Sequence, residues 1–123
     1  MPSTTSTAHD VGAVADFEAG RPYRVQVNGR GVVLVRRGEA FYALRDACAH
    51  QGARLSGGRV LGLVVARRVG EVAYERAGEI LACPWHGWEY DLTTGCSLVD
   101  PRGSRVRAYQ ARVAEGRVLV ELA

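Results

Sequence analysis

The sequence predicts a small all-β domain, on three observations. Apolar residues recur at alternate positions in short runs, the pattern of strands with one buried face. No segment sustains the 3.6-residue apolar period of an amphipathic helix. Glycine is plentiful, at 15 of 123 residues, and several glycines fall between the runs, where a chain turns. A chain of this length makes one domain and hides about two-thirds of its unfolded surface, so a core can form without disulfide staples.

The elements follow in order. Residues 1–10 are rich in Ser and Thr and read as a flexible leader, leaving 11–123 as a single domain. Residues 22–27 alternate, with Tyr23, Val25 and Val27 on one face and Arg24 and Gln26 on the other. Asn28-Gly29 comes next, the dipeptide that best suits a two-residue hairpin turn. Residues 31–37 carry the run Val32-Val33-Leu34-Val35, Arg37-Gly38-Glu39 turns the chain, and 40–44 form a third strand. Near the end 105–113 alternate, Ala114-Glu115-Gly116 turns, and 117–122 close the domain with Val118, Val120 and Leu122 on one face. Short strands and frequent turns imply a small antiparallel β-sandwich or barrel.

Composition excludes several functions. There are 16 basic and 13 acidic residues, a net charge of +3. Every basic residue is arginine, so the chain offers no lysine for a Schiff base. The arginines are scattered, with no run of five, and no nucleic-acid partner is expected. Arg67-Arg68, Arg102, Arg105 and Arg107 read as solvated; steering of an acidic partner is the sharper alternative. No apolar stretch approaches the about 20 residues of a membrane span, and no secretory signal is visible. The expected location is cytoplasmic, with no membrane partner. In that reducing setting three cysteines point to metal or reactive thiols rather than disulfides.

Two pairs of residues carry chemistry. Cys48-Ala49-His50 is one and Cys83-Pro84-Trp85-His86-Gly87 the other, and they use two of only three histidines. A single tetrahedral zinc usually takes like ligands in each pair. Here each pair brings one sulfur and one nitrogen, which suits a two-metal object reached by both loops. A [2Fe–2S] cluster with two cysteines on one iron and two histidines on the other has that need. Two ferric ions, two sulfides and two thiolates sum to a neutral site that becomes −1 on reduction. Neutral imidazoles thus ease electron acceptance, whereas four thiolates would start at −2.

The sequences CAHQGARL at 48–55 and CPWHGWEYD at 83–91 resemble the two cluster loops of Rieske iron–sulfur domains, and Leu92-Thr93-Thr94-Gly95 and Pro101 extend the resemblance. It implies a three-layered all-β domain with a cluster-binding subdomain made of two loops, and one [2Fe–2S] cluster per chain near one tip. It also implies that Cys48 and Cys83 hold one iron and that His50 and His86, nearer solvent, hold the other and pass the electron on. Gly52 and Gly87 would let backbone approach the cluster, Pro84 would stiffen the second loop, and Trp85 and Trp88 would shield it or pack in the core. Quinol-oxidising members of the family carry an extra disulfide-linked cysteine in each loop; Ala53 and Trp85 stand there instead. Trp88 stands where those members place a sulfur-bonding serine. The resemblance is therefore to soluble, oxygenase-associated ferredoxins, with a potential toward the low end of the roughly −150 to +300 mV Rieske range.

The expected role is a one-electron carrier between a flavin-containing reductase and a terminal oxygenase of the Rieske non-haem iron kind. One alternative is the small subunit of a nitrite-reductase-like complex. Another is a zinc-stabilised binding module without redox function. The chain is not expected to catalyse alone. A complete oxygenase needs a further iron on two histidines and a carboxylate, and only His9 is left; Gly29-Arg30-Gly31 is no dinucleotide fingerprint. Cys96, after Gly95, reads as a packed or surface residue. Residues 61–77 form an insertion between the loops, read as an extended hairpin beside the cluster and equally as a docking element or a neutral insertion.

Overall fold

The computed structural model describes residues 8–48, 54–68, 71–84, 88–98 and 103–122, with the backbone alone over 63–68 and 71–77. Its centre is β3 (Arg30–Arg37), paired antiparallel with β2 (Pro22–Val27) on one side and β4 (Ala40–Arg45) on the other. Val32, Val33, Leu34 and Val35 are all 0% exposed, so β3 is covered on both faces. A strand buried on both faces reads as a continuous apolar run rather than an alternating one, which is what 32–35 are.

Pleating sends these residues to two cores. Val32 and Leu34 join Val27, Phe41 and Ala43 in one core, with Val118, Val120 and Leu122 from the end of the chain. Val33, Val35 and Leu44 face the opposite way, into a second core with Leu55, Leu81, Tyr90, Leu92, Cys48 and Cys83. The domain therefore has three layers, as the family resemblance implied. β1 (Ala8–Ala13), β8 (Ala108–Ala114) and β9 (Arg117–Glu121) cover one face of the middle layer. β5 (Arg59–Arg68), β6 (Glu71–Ala82) and β7 (Glu89–Asp91) form a separate three-stranded sheet on the other.

β8 joins two layers. Its first residues pair with β4 (Ala108 with Leu44, Tyr109 with Ala43). Its later ones, from Gln110 to Ala114, pair with β9. The strand order of the larger sheet is β1-β9-β8-β4-β3-β2. Two hairpins close on residues in the left-handed region, Asn28-Gly29 (φ 51° and 80°) and Glu115-Gly116 (φ 51° and 75°). These are the positive angles a type I′ turn demands of both central residues.

The structure differs from the sequence reading at two boundaries. β1 begins at Ala8, so residues 8–10 of the expected leader are strand. Their sequence, Ala-His-Asp, has no apolar alternation, and they are held by backbone pairing to β9 at an edge and by the Arg117–Asp10 ion pair at 2.9 Å. Arg117 hydrogen-bonds the Asp10 carboxylate and holds its pKa below the usual value. The last alternating stretch enters the sheet at Ala108 rather than at residue 105. Segment 61–77 lies within the long β5–β6 hairpin, whose register slips between Leu61 and Leu63. Among the described residues no helix is long and apolar enough to cross a membrane.

Candidate metal centre

Two loops leave the strands at the second core. The first departs from the end of β4, passes Cys48, and returns through a short 3-10 turn, Leu55–Gly57, into β5. The second joins β6 to β7 and begins at Cys83. Both cysteines are 3% exposed and belong to the same apolar core. Burial shields both sulfurs from water, and two sulfurs from separate loops in one core fit the inner half of a cluster site.

The loops meet at their roots. Arg59 pairs with Ala82, and a Cβ on Gly58 would run into the Ala82 carbonyl oxygen. Only glycine lets the first loop's exit pass this close to the second loop's entrance. Next along, Gly57 faces Pro84, whose Cγ would lie 3.6 Å from a Cβ there. The second loop is closed by the Cys83 N–H donating to the Trp88 carbonyl at 2.6 Å. Trp88 is half-buried against the cysteine-bearing core, and Pro84 is exposed.

Two groups that sequence reasoning missed shape the site. Tyr90 on β7 is fully buried, and its hydroxyl lies 3.1 Å from Cys48 Sγ, across 42 positions of sequence. It is a hydrogen-bond partner for that sulfur within the buried second core. Asp46, two positions before Cys48, has a side chain with 0% exposure. One carboxylate oxygen accepts the Ser56 N–H at 2.7 Å. The other accepts the Ser56 hydroxyl at 2.6 Å and the Arg24 guanidinium at 2.7 Å. Its own N–H donates to the Gly31 carbonyl at 3.0 Å. Asp46 thus ties both ends of the first loop together and fastens them to β2 and β3. The Arg24 guanidinium lies across Gly31, where an added Cβ would meet it.

Of the sequence-predicted residues, the structure brings Cys48, Cys83 and Trp88 to one core and sets Pro84 at its rim. His50, Gly52, Trp85, His86 and Gly87 lie outside the described residues. Among the described residues no three His, Cys, Asp or Glu side chains gather as a metal site. Cys96 is half-buried, in an isolated bridge with Arg105 remote in sequence from both loops.

A three-layered β domain with two cysteine-bearing loops rooted on one hairpin is the architecture of an iron–sulfur protein. The sequence profile of the Rieske [2Fe-2S] domain matches residues 7–110, and the chain belongs to that family, whose cofactor is a [2Fe–2S] cluster. It is 28% identical to the ferredoxin subunit of anthranilate 1,2-dioxygenase of Burkholderia cepacia, over 98% of this chain and 96% of that one. The ferredoxin of carbazole 1,9a-dioxygenase from Nocardioides aromaticivorans superposes with a TM-score of 0.75 at 28% identity, covering 96% of this chain and all of that one. A structure described as a putative NADH-dependent nitrite reductase small subunit from Mycobacterium tuberculosis superposes with a TM-score of 0.74 at 28% identity, covering 94% and 95%. Against two methylxanthine demethylases of Pseudomonas putida, NdmA and NdmB, the chain spans only 23% and 24% of the relative's length.

The Asp46 tie makes a stability prediction. Asp46→Ala leaves the Ser56 amide and Arg24 without their acceptor and should cost about 1–3 kcal/mol in urea unfolding. Ser56→Ala, which removes one hydroxyl bond, should cost about 1 kcal/mol. A loss below about 0.5 kcal/mol for Asp46→Ala, the scale of an ordinary surface change, would show that the tie does not hold the loop.

Proposed function

We propose that the chain is a one-electron carrier of a multicomponent oxygenase, accepting electrons from a flavin-containing reductase and delivering them to a terminal oxygenase of the Rieske non-haem iron kind. The observation that carries this is the pair of buried cysteines on two loops, in a domain matched along nearly its whole length by the ferredoxin subunit of a dioxygenase. The matching small subunit of a nitrite reductase favours one second reading, in which the chain is the cluster-bearing subunit of a stable reductase complex. Co-purification with a reductase subunit, against exchange of a free carrier, separates the two. Cysteine usage supports a cytoplasmic setting.

Cys48 and Cys83 would hold one iron inside the core, and His50 and His86 the other toward solvent. The bound cluster would supply one reversible electron. The chain's own residues set the conditions for that. The second core shields both sulfurs, Asp46 ties the ends of the first loop, and the Cys83–Trp88 backbone bond ties those of the second. With Cys48 holding iron as a thiolate, which has no proton to give, the Tyr90 hydroxyl would be the donor of their 3.1 Å bond. That favours the more negative, reduced state, so Tyr90 raises the potential within a site that otherwise reads as low.

Two variants test the assignment. His86→Ala should abolish visible absorption while circular dichroism still reports a β fold; full colour would refute the ligand set. Tyr90→Phe should keep the colour and lower the midpoint potential by about 20–60 mV, the equivalent of one hydrogen bond of about 0.5–1.5 kcal/mol. An unchanged potential would show that the hydroxyl does not act on the sulfur.

A further inference from the structure

Among the described arginines, Arg36 donates to the carbonyls of Val14, Phe17 and Gly38, the exposed Arg54 and Arg59 have no carboxylate partner among the described residues, and the remaining nine fall into two groups. Arg21, Arg24, Arg37, Arg112 and Arg117 each pair with a carboxylate: Glu18, Asp46, Glu79, Glu121 and Asp10 respectively. Arg30, Arg45, Arg105 and Arg107 make no ion pair with any described residue, and all four are exposed. They are far apart in sequence, yet the topology gathers them. Arg30 opens β3, Arg45 ends β4, and Arg105 and Arg107 lead into β8.

Arg30, Arg45 and Arg107 line one cleft of about 490 Å³ together with Gly29, Gly31 and Tyr109. A second cleft of about 430 Å³ is lined by Thr94, Arg105, Val106, Arg107 and Ala108. Arg107 lines both, so the two form one concave strip, and among the described residues no carboxylate lines either. Arg107 is already positioned: its guanidinium lies 5.6 Å from the centre of the Tyr109 ring and its Nη2 donates to the Leu122 carbonyl at 3.4 Å. Like charges around one cleft repel each other, and an anion laid among them removes that cost. Guanidinium forks suit carboxylates in particular, which they bind through two parallel hydrogen bonds.

The strip lies at the root of the first cluster loop. The Arg45 N–H donates to the Arg107 carbonyl at 2.8 Å, and the next residue's N–H, that of Asp46, donates to Gly31 at 3.0 Å. Arg45 stands three residues before Cys48, so their Cα atoms are at most about 11 Å apart. Two open clefts in line suit an extended chain better than a compact ion, which would fill one of them.

We infer that the Arg30–Arg45–Arg107–Arg105 strip is a docking site for an acidic, extended segment of a protein redox partner. The identity of that partner as a redox protein rests on the electron-carrier reading; the anionic site does not. Docking there would bring the partner alongside the loop that bears Cys48.

The test uses a fluorescein-labelled, end-capped hexaglutamate peptide, with binding to the holoprotein read by fluorescence anisotropy at about 20 and 200 mM NaCl. Arg30→Gln/Arg45→Gln should weaken binding about tenfold or more, whereas Arg21→Gln/Arg112→Gln, with the same change in net charge at remote ion pairs, should weaken it less than about twofold. Equal weakening by both pairs would reduce the effect to net charge and overturn the proposal. So would full displacement of the peptide by inorganic phosphate at low millimolar concentration, which would make the strip a site for a compact ion. Tighter binding of a single-stranded thymidine oligonucleotide through the same arginines would assign it to nucleic acid instead. The visible spectrum is recorded on every sample. A colourless wild-type protein would defeat the carrier reading and leave the peptide result standing, so the two failures are distinct.

Discussion

β3 has no face to give to water. Four consecutive residues, Val32 to Val35, are fully buried, and each alternate pair requires its own cover. Burying one such side chain contributes about 1.5–3 kcal/mol, so neither cover is optional. One is the terminal sheet of β1, β8 and β9, closed by Val118 and Val120. The other is the β5-β6-β7 sheet with its two loops, which brings Leu81, Tyr90 and both cysteines against Val33, Val35 and Leu44. The candidate metal centre is therefore part of the domain's second core rather than an attachment to it.

This arrangement explains why the site's supports lie where they do. A loop over a core must satisfy its polar groups without water, and Asp46 does this for the first loop by accepting bonds from Ser56 and Arg24 within one buried carboxylate. Tyr90 does the corresponding work for a sulfur. The roots of the two loops approach closely enough that Gly58 has no space for a side chain. Each constraint holds the ends of a loop, and supports of this kind orient the groups that reach a metal. The same end of the middle layer gathers Arg30, Arg45, Arg105 and Arg107, because β3 and β8 begin there and β4 ends there.

Much of this was legible in the sequence, where the signal was periodic or local. Strands over 22–27 and 31–37, with the Asn28-Gly29 turn between them, follow from alternation and turn chemistry. The paired Cys-x-His and Cys-x-x-His motifs carried the resemblance to Rieske domains, the family to which the chain belongs. The run at 32–35 suggested a strand but not its two covers, which depend on what packs from a distance. β1 was missed at its start because Ala8, His9 and Asp10 hold their place by backbone pairing to β9, which leaves no side-chain pattern. Tyr90 lay inside the quoted motif, yet its role depends on a partner 42 positions away. Asp46 likewise acts through Arg24 and Ser56, from two other elements. Such pairings are fixed by topology, and no spacing rule within a loop reports them.

Everything proposed for this domain depends on the two loops holding a mixed histidine–cysteine [2Fe–2S] centre. The most direct measurement is a low-temperature EPR spectrum of the dithionite-reduced protein, with iron and acid-labile sulfide assayed on the same sample. A mixed-ligand cluster gives a rhombic signal of low average g with two irons and two sulfides per chain. A colourless, EPR-silent protein that stays so after anaerobic reconstitution, or one holding a single zinc and no sulfide, would contradict it.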